Sequence, residues 1–242
     1  MMDDDLVYKI IVIGDSGVGK SNITLRFCEN LFFADVVPTI GMDFKYTRCE
    51  TLEDPPRLVR LQVWDTGGHD RFATLTSAFY RNCQGVLLCF DLTNRTSFLS
   101  LDKWFNRLLE QTGDHMPPLL VAGCKLDMAQ VSFVTSTEQN RSSDAVVRAK
   151  VSSQGLYRQV SQSEAEAWAR SHQALGYFET SSKENINVAR VFQLLATSIA
   201  QCNAPIGTVQ RNGKPLVDKK QGLAGHPGGS EGTRPRSKKC YC

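Results

Sequence analysis

The sequence has no apolar run approaching the roughly 20 residues that a membrane-crossing helix needs. No secretory leader is expected either, because Met1-Met2-Asp3-Asp4-Asp5 is acidic and lacks an apolar run. Metal-type spacings of cysteine and histidine are missing, which argues against a zinc module. The eight cysteines form no disulfide framework. Cys28, Cys49, Cys83, Cys89, Cys124 and Cys202 stand singly in apolar or helical contexts. They are expected as small core hydrophobes in a reducing compartment. Charge of one sign is scarce overall, with a formal net of only +3. That balance hides a split: residues 1–202 carry 20 basic and 23 acidic side chains, and residues 203–242 carry 8 and 2. A basic tail on a slightly acidic body is suited to an anionic surface. The tail has no aromatic interleaving apart from Tyr241, which speaks against nucleic acid.

What is present begins with 41% apolar residues in 242, enough to bury the core of one α/β domain with additional segments. Strand-like and helix-like stretches alternate. Tyr8–Ile13 reads as a buried strand and Ser21–Glu29 as an amphipathic helix. Residues 42–51 and 57–64 read as a hairpin turning through Asp54-Pro55-Pro56. Residues 85–90 and 119–124 are short apolar runs of the kind that lie in parallel sheets covered on both faces. Helical spacing of Phe98, Leu101, Phe105 and Leu108 predicts one helix over 98–111. Ser161-Gln162-Ser163-Glu164 is a capping box that opens a helix to about Gln173. A last strand is expected over 176–180 and a last helix over 188–202. This order predicts a three-layer α/β sandwich: a mostly parallel six-stranded sheet, one antiparallel edge strand, and helices on both faces.

Residues 1–7 form a short extension before the domain, which is expected over 8–202. Two segments break its pattern. Residues 128–157 are rich in Ser, Thr and Gln, and are expected to be a surface insertion without chemistry. Residues 203–242 are rich in Gly, Pro and Lys, and are expected to be a flexible tail.

The densest chemical signal is Gly14-Asp15-Ser16-Gly17-Val18-Gly19-Lys20-Ser21-Asn22, directly after the first strand. The spacing G-x-x-x-x-G-K-S/T lets backbone N–H groups wrap a phosphate chain, with a helix dipole behind them. Lys20 can reach the outer phosphates and the Ser21 hydroxyl can ligate Mg²⁺. Asp65, after the strand that ends near Trp64, can hold the same ion through water. Gly68 can offer its N–H to a terminal phosphate. Thr39, in the irregular stretch 30–41, is a candidate second hydroxyl ligand. The pair Lys125 and Asp127 follows the 119–124 strand. A carboxylate there can accept both N1–H and N2–H₂ of guanine, a pair adenine does not present. Lys125 can lay its stem along the base. Thr180-Ser181-Ser182-Lys183 can present a backbone N–H to the guanine O6.

Together these pieces resemble the Rab family of the Ras superfamily, small GTPases built on the P-loop NTPase fold. The resemblance also rests on Ile40-Gly-Met-Asp-Phe44, Arg60-Leu-Gln-Val-Trp64, Arg71-Phe-Ala-Thr-Leu-Thr76, Phe79-Tyr-Arg81 and Asp91-Leu-Thr-Asn-Arg-Thr-Ser-Phe98. It implies a GTP/GDP switch with Mg²⁺ that hydrolyses GTP and works as a monomer in membrane traffic. In this reading GTP orders residues 30–41 and 65–78, with Thr39 and the Gly68 N–H on the γ-phosphate. Phe32 resembles the residue that packs on the guanine edge. Phe44, Trp64 and Phe79 resemble the aromatic triad that effectors read. Exchange factors, activating proteins and an escort protein (GDI) are the further partners the family implies.

Two positions depart from the family pattern. Gly67-Gly68-His69 stands where Ala-Gly-Gln is usual. His69 replaces the amide that orients the attacking water, so slow intrinsic hydrolysis is expected. Cys124 stands where the family has Asn, whose amide ties the base-binding loop to the phosphate loop. A thiol bonds weakly, so faster nucleotide release is expected. Ser182, in place of Ala, leaves backbone recognition intact. These departures keep an alternative open: a slow or non-hydrolysing scaffold that holds nucleotide at membranes.

The chain ends Lys238-Lys239-Cys240-Tyr241-Cys242, like the Cys-x-Cys ends of Rabs, on which two geranylgeranyl groups are carried. One lipid anchors marginally and two anchor stably. Arg234, Arg236, Lys238 and Lys239 add attraction to anionic headgroups. As a coil, the 40-residue tail reaches about 35 Å. The resemblance implies the cytoplasmic face of intracellular membranes, with cycling to the cytosol.

Overall fold

The computed structural model describes residues 7–35, 37–39, 41–68, 80–113, 115–129, 133–134, 150–151 and 158–202. Six strands make the main sheet: β1 Val7–Ile13, β2 Met42–Glu50, β3 Leu58–Thr66, β4 Gly85–Asp91, β5 Leu119–Cys124 and β8 Tyr177–Glu179, in the order β2-β3-β1-β4-β5-β8. All neighbours are parallel except β2 and β3, which pair antiparallel with Phe44 opposite Trp64. This is the sheet expected from the sequence. The hairpin closes where the Thr51 N–H donates to the Arg57 carbonyl at 2.9 Å.

Alternation along β1 explains the layers. Tyr8, Ile10 and Val12 face one core, with helix α1 (Lys20–Glu29) and helix α6 (Val188–Cys202). Ile11 and Ile13 face the other, with α3 (Leu101–Thr112) and α5 (Gln162–Ser171). A strand buried on both faces is necessarily a continuous apolar run, as β4 and β5 are.

The single helix expected over 98–111 is two helices. The Asn94 side chain accepts from Thr96 N and Ser97 N, which starts α2 (Arg95–Leu99) three residues earlier than expected. A break at Ser100 separates α2 from α3, and the Trp104 N–H picks up the Ser100 carbonyl to begin the second helix. Ser161 caps α5 through the Glu164 N–H, as its motif predicts. A four-residue helix, α4 (Leu126–Ala129), follows β5. Within the 128–157 stretch, two short strands, β6 (Phe133–Val134) and β7 (Lys150–Val151), pair antiparallel. Residues 1–6, residues 69–79 with His69 and Phe79, the rest of the 128–157 stretch, and 203–242 with Cys240 and Cys242 lie outside the described residues.

The architecture gathers the turns after β1, β3, β5 and β8 at the carboxyl edge of the sheet. Strands diverge to either side of β1 there, which is where open α/β sheets leave a crevice.

Candidate nucleotide site

The crevice after β1 is a cleft of about 170 Å³ lined by the phosphate loop, by Pro38 and Thr39, and by Gly68 and Lys125. The loop path needs its glycines. Gly14 has φ 141°, and a methyl group there would run into the Cys89 carbonyl of β4. Gly19 has φ 112° and serves as the left-handed residue before α1. Gly68 lies so close to Asp15 and Ser16 that a Cβ would collide with their backbone. The β3 turn is thus seated directly on the phosphate loop.

Lys20, at the first turn of α1, is almost fully buried, and its ammonium donates to the Asp15 carbonyl at 2.7 Å. Burial pulls its pKa below the ordinary lysine value, opposed chiefly by the carboxylate of Asp65. A dehydrated cation resting on one carbonyl is held ready for a stronger acceptor. Ser16, Gly17 and Asn22 complete this wall, while Val18 is buried in the core behind it. Asn22 also clasps the Phe33 backbone, donating to its carbonyl at 2.9 Å and accepting from its N–H at 3.1 Å. Phe32 beside it is half-buried.

Three oxygens converge at the mouth. Ser21 Oγ and Thr39 Oγ1 are 2.8 Å apart, and Thr39 Oγ1 donates to Asp65 Oδ2 at 3.4 Å. Asp65 is 6% exposed, and its other oxygen, Oδ1, is buried with no hydrogen-bond partner. Burial pushes the Asp65 carboxyl above the usual range, against the pull of Ser21, Lys20 and Thr39. Two hydroxyls and an undersatisfied carboxylate form a hard-oxygen set that fits Mg²⁺, an ion that takes few protein ligands and keeps waters and phosphates for the rest. Among the described residues no cluster of three or more His, Cys, Asp or Glu offers a competing metal centre.

On the base side, Lys125 sits at φ 62° and pairs with buried Asp91 at 2.8 Å, which fixes the stem of the lysine along the cleft. Asp127 Oδ1 accepts from Ser181 Oγ at 2.6 Å. The two turns are laced by their backbones: Thr180 N to Gly123 O at 2.7 Å, and Leu126 N to Thr180 O at 3.0 Å. Ser182 is half-buried and Lys183 exposed.

Cys124 ends β5 under Gly19, where a methyl on the glycine would lie 3.5 Å from Cys124 Cβ. Its thiol makes a 3.9 Å contact to the Ala122 carbonyl and weak hydrogen bonds with the Cys89 thiol and the Thr180 side chain. The bond to Cys89, together with burial, raises the Cys89 pKa well above the ordinary value. The sequence shows these two cysteines as isolated, and the parallel pairing of β4 and β5 makes them neighbours. The six cysteines within the described residues are all free thiols.

Two further residues were not anticipated. Trp104 Nε1 donates to Asp15 Oδ1 at 2.8 Å, and Arg26 reaches the 182–183 turn. The helical period carried a weak signal for Trp104, because it shares the face of Leu101 and Leu108. Arg26 had none beyond a cation in the last turn of α1. Phe44, 45% exposed, stacks on Trp64 at 5.2 Å, giving two of the three aromatics that the sequence singles out.

A glycine-lined phosphate loop between β1 and α1, facing a serine, threonine and aspartate set, defines a P-loop nucleotide-binding protein of the Ras-like α/β class. The chain matches the Ras family over residues 9–201. It is 36% identical over 197 residues to "Ras-related protein Rab-10" of Diplobatis ommata, covering 81% of this chain and 83% of the relative. It is 33% identical over 223 residues to "GTP-binding protein YPTM2" of Zea mays, covering 89% and 95%. It is 36% identical over 199 residues to "Ras-related protein RABE1d" of Arabidopsis thaliana, covering 82% and 78%. The chain belongs to the Rab family of small GTPases within the Ras superfamily. Members of this family are GTPases that bind GTP and GDP, generally with Mg²⁺. Among the described residues no helix is long and apolar enough to cross a membrane.

Proposed function

We propose that this chain is a GTP/GDP switch that hydrolyses GTP slowly and recruits effectors to membranes in intracellular traffic. The observation that carries the reading is the meeting of Ser21, Thr39 and Asp65 beside a desolvated Lys20. Residues 8–202 form the switch domain, 1–7 a short extension, and 203–242 the tail that brings Cys240 and Cys242 to the membrane as lipid-bearing cysteines.

The phosphate loop, from Asp15 to Ser21 with Asn22 behind it, wraps the phosphates through its N–H groups. Ser21, Thr39 and Asp65 are the residues that would hold Mg²⁺, which would supply neutralisation of phosphate charge. Lys20 turns from the Asp15 carbonyl to the outer phosphates. Asp127 reads the guanine edge, Lys125 and Phe32 flank the base, and the turn of Ser181, Ser182 and Lys183 faces O6. Thr39 and the Gly68 N–H are the two sensors of the terminal phosphate. Both lose that partner when it leaves, which frees residues 30–41 and 65–78 and changes the face around Phe44, Trp64 and Phe79. In sequence, His69 takes the position of the family's water-orienting glutamine, and the slow turnover proposed here follows from that exchange.

Calorimetric titration of GDP and GTP into folded, nucleotide-stripped protein tests the reading. Tight, Mg²⁺-dependent heat with guanine nucleotides and none with ATP is the expected result. No heat with either guanine nucleotide overturns it. Mass analysis of protein from its own cells reports the lipids on Cys240 and Cys242, and unmodified thiols there remove the membrane part.

A further inference from the structure

The base-recognition turn and the phosphate loop lie on opposite sides of the cleft, and a nucleotide stays bound only while both grip it. In this chain Cys124 has no amide to tie them: its thiol makes only weak contacts, with the Ala122 carbonyl at 3.9 Å, the Cys89 thiol and the Thr180 side chain, and none with the phosphate loop is seen among them. A different side chain spans the gap. Arg26, in the last turn of α1, donates from Nε to the Ser182 carbonyl at 2.7 Å and from Nη2 to the Lys183 carbonyl at 3.4 Å. Its remaining nitrogen, Nη1, donates to the Asn30 carbonyl at 2.9 Å and to Asn30 Oδ1 at 3.0 Å. Asn30 is itself fixed as the left-handed cap of α1, with its N–H on the Arg26 carbonyl at 3.1 Å. The guanidinium is therefore held on its own helix and reaches across to residues more than 150 positions later.

We propose that Arg26 is the positioning residue that braces the base-recognition turn against the phosphate-loop helix, and that it sets the lifetime of bound guanine nucleotide. This role for Arg26 rests on the guanine-switch reading above. A peptide unit is planar and trans, so the Ser182 carbonyl and the Lys183 N–H point in opposite directions. Pulling that carbonyl onto Arg26 turns the N–H away from α1. Anchoring the Lys183 carbonyl fixes the next unit, whose Glu184 N–H is already taken by Ser181 Oγ at 3.0 Å. The Lys183 N–H, left for guanine O6, is thereby oriented before the base arrives, and less of that ordering is left for binding to supply. A planar fork with several donors can hold two successive carbonyls, which a lysine ammonium on a flexible stem does less well.

The test is release of a fluorescent GDP from the full chain under excess unlabelled GDP. Arg26→Ala is expected to release it about tenfold faster, with Arg26→Lys intermediate. The Arg26→Ala effect should shrink in a Cys124→Asn background, where an amide supplies a second tie. It should also shrink for the diphosphate of 2-aminopurine riboside, which lacks O6, because the turn then has little to aim at. A merely structural role would speed release of both nucleotides alike and ignore Cys124. Unchanged GDP release, or equal acceleration for the two bases in Arg26→Ala and Arg26→Lys, overturns the proposal. Absence of guanine binding by the unaltered protein is a separate outcome that removes the functional reading itself.

Discussion

Trp104 Nε1 donates a 2.8 Å hydrogen bond to Asp15 Oδ1, so a helix in one core holds the outer wall of the phosphate loop across 89 positions of sequence. The indole is buried in the layer of α3, and its one polar atom is used on the loop. The loop is thus positioned by the core as well as by its glycines.

Replacing Trp104 with Phe keeps most of the packing and removes the donor. Loss of a hydrogen bond to a charged acceptor, with a small void beside it, should cost about 1–3 kcal/mol. For a domain of this size that lowers the melting temperature by several degrees, roughly 2–4 °C per kcal/mol. Thermal melting of the nucleotide-free and GDP-loaded protein checks this. An unchanged midpoint in both forms would mean that Asp15 does not depend on the indole.

Gly67 makes the second close approach. Its N–H donates to the Gly41 carbonyl at 2.8 Å, and a Cβ there would meet the Thr39 carbonyl at 2.7 Å and the Gly41 carbonyl at 3.0 Å. The two segments expected to switch are therefore packed backbone to backbone. Gly67→Ala should drive the 39–41 stretch outward and move Thr39 off Ser21, with overpacking of about 1–3 kcal/mol. Thr39 contacts the terminal phosphate in the proposed cycle, so GTP should be held more weakly by about fivefold or more, while GDP is held nearly as before. Parallel release rates for the two nucleotides read this directly. Equal losses would show that the contact does not report on the terminal phosphate.

At position 69 an imidazole stands where an amide is usual in the family. A neutral imidazole has one donor and one acceptor on opposite sides of a rigid ring, whereas a carboxamide carries both at one end. Orientation of water by the amide contributes to catalysis in related GTPases. His69→Gln should therefore raise intrinsic single-turnover hydrolysis by about tenfold or more. Equal rates would place the slow step elsewhere.

The fold was legible because its signals are local. Apolar runs bounded by turn residues gave the strands, and the phosphate-loop spacing gave the first turn. The break at Ser100 was missed because Phe98, Leu101, Phe105 and Leu108 keep helical spacing across it. The Asn94 cap marks where α2 begins, and the break itself lies in the Ser100 backbone, whose N–H closes on the Thr96 carbonyl while its own carbonyl opens the next helix. Tertiary ties were the least visible class. Nothing in a linear string relates Arg26 to Ser182, Trp104 to Asp15, or Cys89 to Cys124, since each pair meets only after parallel strands and crossover helices are assembled.

Asp65 carries a charge that the fold alone does not satisfy. It is buried, one carboxylate oxygen has no hydrogen-bond partner, and burial pushes its carboxyl toward the neutral form. Ser21, Lys20 and Thr39 offset only part of that cost. Asp65→Asn removes the charge and keeps the shape. The amide still leaves one polar atom unpartnered, but desolvating it costs less than desolvating a carboxylate. The nucleotide-free variant should therefore be more stable than the natural protein at neutral pH, by about 1 kcal/mol or more, as is common when a binding-site charge is relieved. Adding Mg²⁺ and GDP should reverse the order. The natural protein gains from the cation that its carboxylate helps to hold, and the variant gains less. Melting curves of both proteins, without nucleotide and then with GDP and Mg²⁺ or with GDP and a chelator, separate the cases. If the variant melts lower without nucleotide, the buried carboxylate is stabilised by the fold itself. If the two proteins gain equally from Mg²⁺, Asp65 does not act on the ion.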